Sequence, residues 1–230
     1  MKDLSFLEKR LKVSFKNKGL LIQALVHRSY LNEHPYFKYP HNERLEFLGD
    51  AVLELIVSEH LYKNYQRPEG ELTNWRASLV NTERISEVAK ELGIESYLFL
   101  SKGEAKDTGK ARQIILANTF EAIVGAIYLD QGYSQAKKFV ERVLISKLPY
   151  ILKHKLYLDP KTRFQEIAQA KLKITPHYEV LKEWGPDHAK RFKVGVFLKD
   201  ELIAIGEGTS KQEAQFEAAS KALKTQKWEK

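Results

Sequence analysis

"ILANTFEAIVGAIYLD", residues 115–130, is apolar on nearly every side when it is placed on a helix. A helix that is hydrophobic all round is normally buried. Two polar side chains interrupt this one, Asn118 and Glu121, one turn apart and on the same side. Moving a lone carboxylate out of water is costly unless something pairs with it. The stretch therefore predicts a core helix whose Glu121 answers to a partner elsewhere in the fold.

A second stretch offers that partner. In "NERLEFLGDAVLEL", residues 42–55, helical spacing gathers Leu45, Leu48, Val52, Leu55 and, just beyond, Ile56 into a core stripe. Glu43, Glu46 and Asp50 fall on roughly the opposite side. A solvated face is the plain reading of three such acids, and two features weaken it. Phe47 and Leu53 lie at the margins of the acidic face, and the acids lack the lysines at i+4 that a surface helix commonly supplies. Taken together, the helices offer Glu46 and Asp50 at i, i+4 and Glu121 with Asn118 at i−3. Clustered carboxylates repel, and a hard divalent cation with oxygen ligands relieves them. Mg²⁺ is the usual occupant of such a site, and two such ions can clamp a phosphodiester displacement. The seven histidines are scattered without zinc spacing, and no Gly-rich phosphate loop or Ser/His/Asp triad is visible.

Helical spacing continues on both sides of these two stretches, over residues 20–31, 74–93 and 134–148, with stops at "HPYFKYPH", "QRPEGE" and "SKGEAKDTGK". This predicts an all-α domain over residues 1–150, then a linker over 151–158. Beyond it, Asp159-Pro160 is an N-cap and N1 pair opening a helix. The β-rich segments "HYEVLKEWG", "RFKVGVFLKD" and "ELIAIGEG" follow, and a last helix opens on Ser210 with Glu213 at the capping-box position. The second domain, 159–228, is thus predicted as a small α+β unit of order α-β-β-β-α, with helices on one face of an antiparallel sheet.

The chain of 230 residues carries a net charge of +8 and no cysteine. Residues 1–150 hold 22 Lys and Arg against 19 Asp and Glu, and residues 151–230 hold 16 against 11, so the shorter part is the more basic per residue. A basic excess favours a polyanionic partner but does not by itself name one. The lack of cysteine excludes disulfides and thiolate chemistry and suits a reducing compartment. The charged N-terminus is no signal peptide and no unbroken run of about 18 apolar residues exists. A cytoplasmic protein without a membrane partner or a small-molecule cofactor is expected.

"NERLEFLGDAVLEL" resembles the signature block of the ribonuclease III family. "ALVHRSYLNE", "PEGELTNWRASLVN" and "ILANTFEAIVGAIYLDQGY" resemble that family's other blocks, in the same order. "KTRFQEIAQ", "WGPDHAKRF" and "GEGTSKQEAQFEAA" resemble three segments of the double-stranded-RNA-binding domain. The resemblance implies an endonuclease that needs Mg²⁺ (Mn²⁺ substituting) and cuts double-stranded RNA, including ribosomal and messenger precursors. It implies 5′-phosphate and 3′-hydroxyl ends with short 3′ overhangs. It also implies a homodimer packed through the signature helix, which makes Phe47 and Leu53 interface residues. Carried over by position, Glu46, Asp50, Asn118 and Glu121 hold metal, with Asp50 and Glu121 nearest the attacking water. Glu43 and Glu69 are supporting acids, and Arg44 is read as the partner of a nearby acid.

Asn118 stands where the family has an aspartate. An amide still offers one oxygen but removes a full charge, which opens an alternative, a non-cleaving or weakly cleaving duplex-RNA-binding protein on the same scaffold. In the second domain, the resemblance assigns RNA contact to Thr162, Gln165, Glu166 and Gln169 on the first helix. Pro186 and His188 come from the inter-strand loop, and Lys211 from the last helix. Such residues suit A-form RNA, which is read through 2′-hydroxyls and phosphates. Gln212 replaces the second of two lysines usual in the family, with Lys190, Arg191 and Lys193 nearby to sustain binding.

Overall fold

The computed structural model describes residues 3–186 and 189–228, and the chain divides into two compact units, Met1–His154 and Lys155–Lys230. The first is all helical: α1 Ser5–Leu11, α2 Lys18–Ala24, α3 Arg28–Glu33, α4 Glu43–Asn64, α5 Glu69–Val80, α6 Thr82–Glu91, α7 Lys110–Val143 and α8 Leu148–Lys153. Short 3-10 turns link some of them. The final turns of α8 take up Ile151 to Lys153, so the connecting stretch begins later than the sequence pattern suggests.

The two stretches singled out by sequence are the middle of the unit. α4 and α7 pack on each other, and every residue from 115 to 127 is buried except Asn118 and Glu121. Glycines permit the close approach. A Cβ at Gly49 of α4 would lie 1.8 Å from the Glu121 carbonyl oxygen, and one at Gly125 of α7 would lie 2.3 Å from the Leu45 carbonyl oxygen. Such separations are far inside van der Waals contact, so the crossing is backbone against backbone.

Sequence periodicity joined 74–93 into one helical pattern, whereas the chain breaks it at Asn81. The Asn81 side chain accepts the Arg84 N–H at 2.9 Å and caps α6. α7 itself bends at Gly132 (φ 77°, ψ 179°), where the sequence patterns 111–132 and 134–148 also part. The limb after the bend is tied to α4 by Glu59, which accepts hydrogen bonds from the Tyr133 hydroxyl and, at 3.0 Å, from Lys137. The segment Lys110–Lys153 is long and apolar enough, by length and composition alone, to cross a membrane, although it holds no unbroken apolar run of about 18 residues. Its most apolar window is 61% buried inside the unit, so that surface serves the core.

The second unit is α9 Pro160–Leu172, β1 His177–Trp184, β2 Arg191–Leu198, β3 Glu201–Gly208 and α10 Lys211–Thr225. The strands form an antiparallel sheet of order β1-β2-β3. Asp159 caps α9 through the N–H groups of Lys161 and Thr162, as its place before Pro160 predicts. Ser210 caps α10 by accepting the Glu213 N–H at 3.1 Å, while the Glu213 carboxylate accepts from the N–H and hydroxyl of Thr209. One face of the sheet is closed by Phe164 and Ala168 of α9 and Ala218, Ala219, Ala222 and Leu223 of α10 over Val196 and Leu198. The opposite face of the sheet has Leu181, Phe197 and Leu202 meeting over Gly195.

Candidate functional site

Glu46 and Asp50 lie one turn apart on α4, and Asn118 and Glu121 lie one turn apart on α7. The Gly49–Gly125 crossing brings the two pairs together. Asp50 is the residue after Gly49, and the carbonyl that Gly49 approaches belongs to Glu121 itself. Glu121 shows the consequence: burial, and then the negative charges of Asp50 and Glu46, push its carboxyl up to about 8. Glu46 is also raised, by burial first and then by Glu43 and Asp50, and is eased by a hydrogen bond with the Asn118 side chain. Without a counter-ion these carboxylates crowd one another, which favours the protonated form of Glu121.

The donors present are all oxygens (three carboxylates and one amide), the set preferred by a hard divalent cation. Among the described residues no group of three His, Asp or Glu side chains converges tightly enough to cage a metal unaided. A cation here would need the Asn118 amide oxygen and water besides the carboxylates.

The other acids are placed differently. Glu43 is exposed, and the groups nearest it come from outside its own helix. The Arg28 guanidinium is 3.4 Å away, and His41 Nδ1, which has no hydrogen-bond partner, is 3.7 Å away. Arg44 is exposed and makes no ion pair among the described residues, so Arg28 takes the role that sequence gave to Arg44. Glu69 opens α5 and lines a groove of about 700 Å³ with Leu61, Tyr62, Arg67 and Arg76. That groove lies at the far end of α4, roughly 16 Å along the axis from Asp50 at about 1.5 Å per residue. Within one chain Glu69 does not join Glu46, Asp50 and Glu121.

The two interface candidates separate sharply. Phe47 is 83% exposed, beside a second groove lined by Leu20, His41, Leu48 and Leu129. Leu53 is fully buried in its own unit and is not available to a partner. Leu55, expected in the core stripe, is instead 57% exposed, two turns along from Phe47. Leu53 is buried because neighbouring helices cover α4 beyond the predicted stripe, while Leu55, at the edge of that stripe, is left uncovered.

In the second unit Thr162, Gln165, Glu166 and Gln169 are exposed along α9, and Pro186 and Lys211 are exposed as well. His188 lies outside the described residues. Lys211 Nζ stands 5.8 Å from the Phe192 ring centre. Lys190 is paired with Glu183, and Lys193 lies 3.5 Å from Glu207. Those two cations are thus each paired with a surface carboxylate. Gly49, Gly125, Arg28 and His41 went unnoticed in the sequence. The glycines alone left a signal, each interrupting a strong helical pattern.

Comparison with known proteins agrees with this division. The family described as Ribonuclease-III-like matches residues 17–148, and the Double-stranded RNA binding motif matches residues 160–226. A curated relative named Ribonuclease 3 from Nitratiruptor sp. is 46% identical over 226 residues, covering 97% of each chain. Another of that name from Enterococcus faecalis is 44% identical over 221 residues, covering 95% of each. Among solved structures, the nuclease domain of ribonuclease III from Campylobacter jejuni, described for flexibility in a region involved in dimer formation, is 40% identical. It superposes with a TM-score of 0.57 and covers 64% of this chain and 99% of its own.

Proposed function

The chain belongs to the ribonuclease III family, and from that premise we propose that the α4–α7 crossing is its catalytic centre. The protein is an endoribonuclease of double-stranded RNA, with a duplex-binding domain behind the nuclease domain. The alternative of a binding-only protein finds no support among its relatives, which carry the name Ribonuclease 3 over nearly their full length. The family needs a divalent metal; we assign Mg²⁺ here, with Mn²⁺ able to substitute.

Glu46, Asp50, Asn118 and Glu121 would hold the ion, which when bound supplies Lewis-acid stabilisation of charge building on the phosphoryl oxygens. Asp50 and Glu121 orient a water molecule and take its proton as its oxygen bonds to phosphorus. The bond from phosphorus to the 3′ oxygen breaks, and that oxygen takes up a proton. The products are a 5′-phosphate and a 3′-hydroxyl. The hydrogen bond from Asn118 steadies Glu46 across the two helices. Glu43, held by Arg28 and His41, and Glu69 act in support, nearer the RNA than the metal. Thr162, Gln165, Glu166, Gln169, Pro186, His188 and Lys211 bind the duplex through 2′-hydroxyls and phosphates.

Two copies pair through the exposed apolar side of α4, with Phe47 and Leu55 in the interface, so that each strand meets one site. A protruding phenylalanine beside an apolar groove favours self-pairing of this face. Ribosomal and messenger precursors are the substrates, and the cytoplasm is the compartment, which the cysteine-free sequence suits.

One observation carries the reading: in a helix otherwise buried from 115 to 127, Asn118 and Glu121 stay open and face Glu46 and Asp50. The decisive experiment is cleavage of a long RNA duplex in Mg²⁺, in Mn²⁺ and in EDTA, beside Asn118→Asp. Cutting by the unaltered chain in Mg²⁺ upholds the reading. The aspartate variant should reach half-maximal rate at a lower Mg²⁺ concentration, since it restores a charge. Cleavage by the aspartate variant alone refutes the amide as a working ligand.

A further inference from the structure

We propose that Gly125, facing Gly49, is a positioning residue of the acidic site: the contact between these glycines sets the spacing at which α4 and α7 share a cation. The inference rests on the metal-site reading above and adds what fixes its geometry.

Its basis is the arrangement of backbone at the crossing. A Cβ at Gly125 would lie 2.3 Å from the Leu45 carbonyl oxygen, 3.1 Å from the Gly49 nitrogen and 3.3 Å from the Gly49 Cα. A Cβ at Gly49 would lie 1.8 Å from the Glu121 carbonyl oxygen and 2.9 Å from the Gly125 nitrogen. None of these neighbours is the movable end of a side chain, so an added methyl must part the helices. The atoms that would be pushed belong to the acids or to their chain neighbours. Leu45 precedes Glu46, Gly49 precedes Asp50, and the displaced carbonyl at the other glycine is that of Glu121. A displacement at the crossing is therefore passed to all three carboxylates without any intervening side chain.

Divalent cations such as Mg²⁺ demand oxygen donors at closely defined distances. Carboxylates on two rigid helices reach a shared ion only at the right helix separation. The glycine contact holds that separation smaller than any pair of Cβ-bearing residues would allow. Helix interiors disfavour glycine relative to alanine, so two glycines meeting at this point mark a spacing maintained against local preference.

The test is Mn²⁺ binding to the full chain without RNA, followed by electron paramagnetic resonance of the free ion. Gly125→Ala, still folded by circular dichroism, should bind Mn²⁺ about ten- to hundredfold more weakly, as for changes that misalign metal ligands. Its affinity for duplex RNA in EDTA should not change. Leu7→Ala, a cavity in α1 on neither helix of the crossing, should keep its Mn²⁺ affinity even if it melts earlier. Wild-type Mn²⁺ affinity in folded Gly125→Ala overturns the proposal, and so does an equal loss in Leu7→Ala. If Gly125→Ala does not fold, Asp50→Glu asks the same question, since it keeps the charge and lengthens the reach by one methylene. With the spacing fixed, it too should bind about tenfold more weakly, and unchanged affinity overturns the proposal. A wild-type chain that cuts duplex RNA yet binds no Mn²⁺ at these acids refutes the metal site itself, and the proposal with it. A wild-type chain that binds Mn²⁺ there but cuts no duplex refutes only the assigned activity.

Discussion

The α4–α7 crossing and the outer side of α9 place polar groups in opposite ways. At the crossing a few acids are pressed together at the edge of a core, and Glu121 carries the strain as a carboxyl raised to about 8. Along α9, Thr162, Gln165, Glu166 and Gln169 stand in solvent, and Lys155 lies 3.4 Å from Glu166. Partly buried charges such as Glu46 and Glu121 interact strongly, so each of them matters greatly. Exposed groups contribute modestly and nearly independently. The proposed function accordingly concentrates chemistry in one region and spreads affinity over the other.

The sharpest way to break that contrast is Glu121→Gln. Loss of a positioned base and ligand should lower the cleavage rate about 10³-fold, while duplex affinity in a gel-shift assay stays near wild type. Comparable losses in rate and affinity would show that the two regions do not divide the work.

Next in size is the contrast between two residues of α4. Leu53→Ala should cost about 2–5 kcal/mol in denaturant unfolding, because it empties a fully buried site. Phe47→Ala should cost the protomer little and instead weaken self-association, read by analytical ultracentrifugation as a shift toward monomer. An unfolding cost at Phe47 as large as at Leu53 would place Phe47 in the protomer core, against its 83% exposure.

Metal-free melting against pH sharpens the comparison within the first unit. Glu121 has a raised carboxyl, so the folded chain binds more protons than the unfolded one, and stability should fall as pH rises from about 4.5 toward 8. Glu59 is the reverse. Hydrogen bonds from Lys63, Tyr133 and Lys137 lower it to about 2, so its contribution is present above about 4.5 and is lost as pH falls toward 2. Glu121→Gln should flatten the first slope and Glu59→Gln the second. A first slope that survives Glu121→Gln would place the titration elsewhere.

The smallest effects belong to the second unit. Gln212→Lys should tighten duplex binding a few-fold and steepen the salt dependence by about one counterion; Lys211→Ala should do the opposite. A loss at Lys211 as large as that of Glu121→Gln in cleavage would mean that binding is not distributed.

Much of this was legible in the residues. Asp159-Pro160 and Ser210 announce α9 and α10 because capping is a matter of a few adjacent residues. Glu46 and Asp50 share a face because helical geometry places i and i+4 together. Leu53 and Leu55 were misread because a wheel shows which residues share a side and not which side a neighbour covers. Glu43 was assigned no partner outside its helix, since Arg28 and His41 reach it from α3 and the loop before α4. Glu69 was grouped with the other acids by motif, although α4 separates them.

By itself the sequence determined most of the helices, the three strands, the caps of α9 and α10, the order of two units and the acids on which chemistry would depend, because propensity, periodicity and capping act over a few residues. Tertiary structure alone decided how closely α4 and α7 approach, and that approach at Gly49 and Gly125 is what turns separate carboxylates into a group that shifts Glu121 to about 8. Electrostatic coupling depends on distance and desolvation, and both arise only when segments far apart in sequence exclude water from between them.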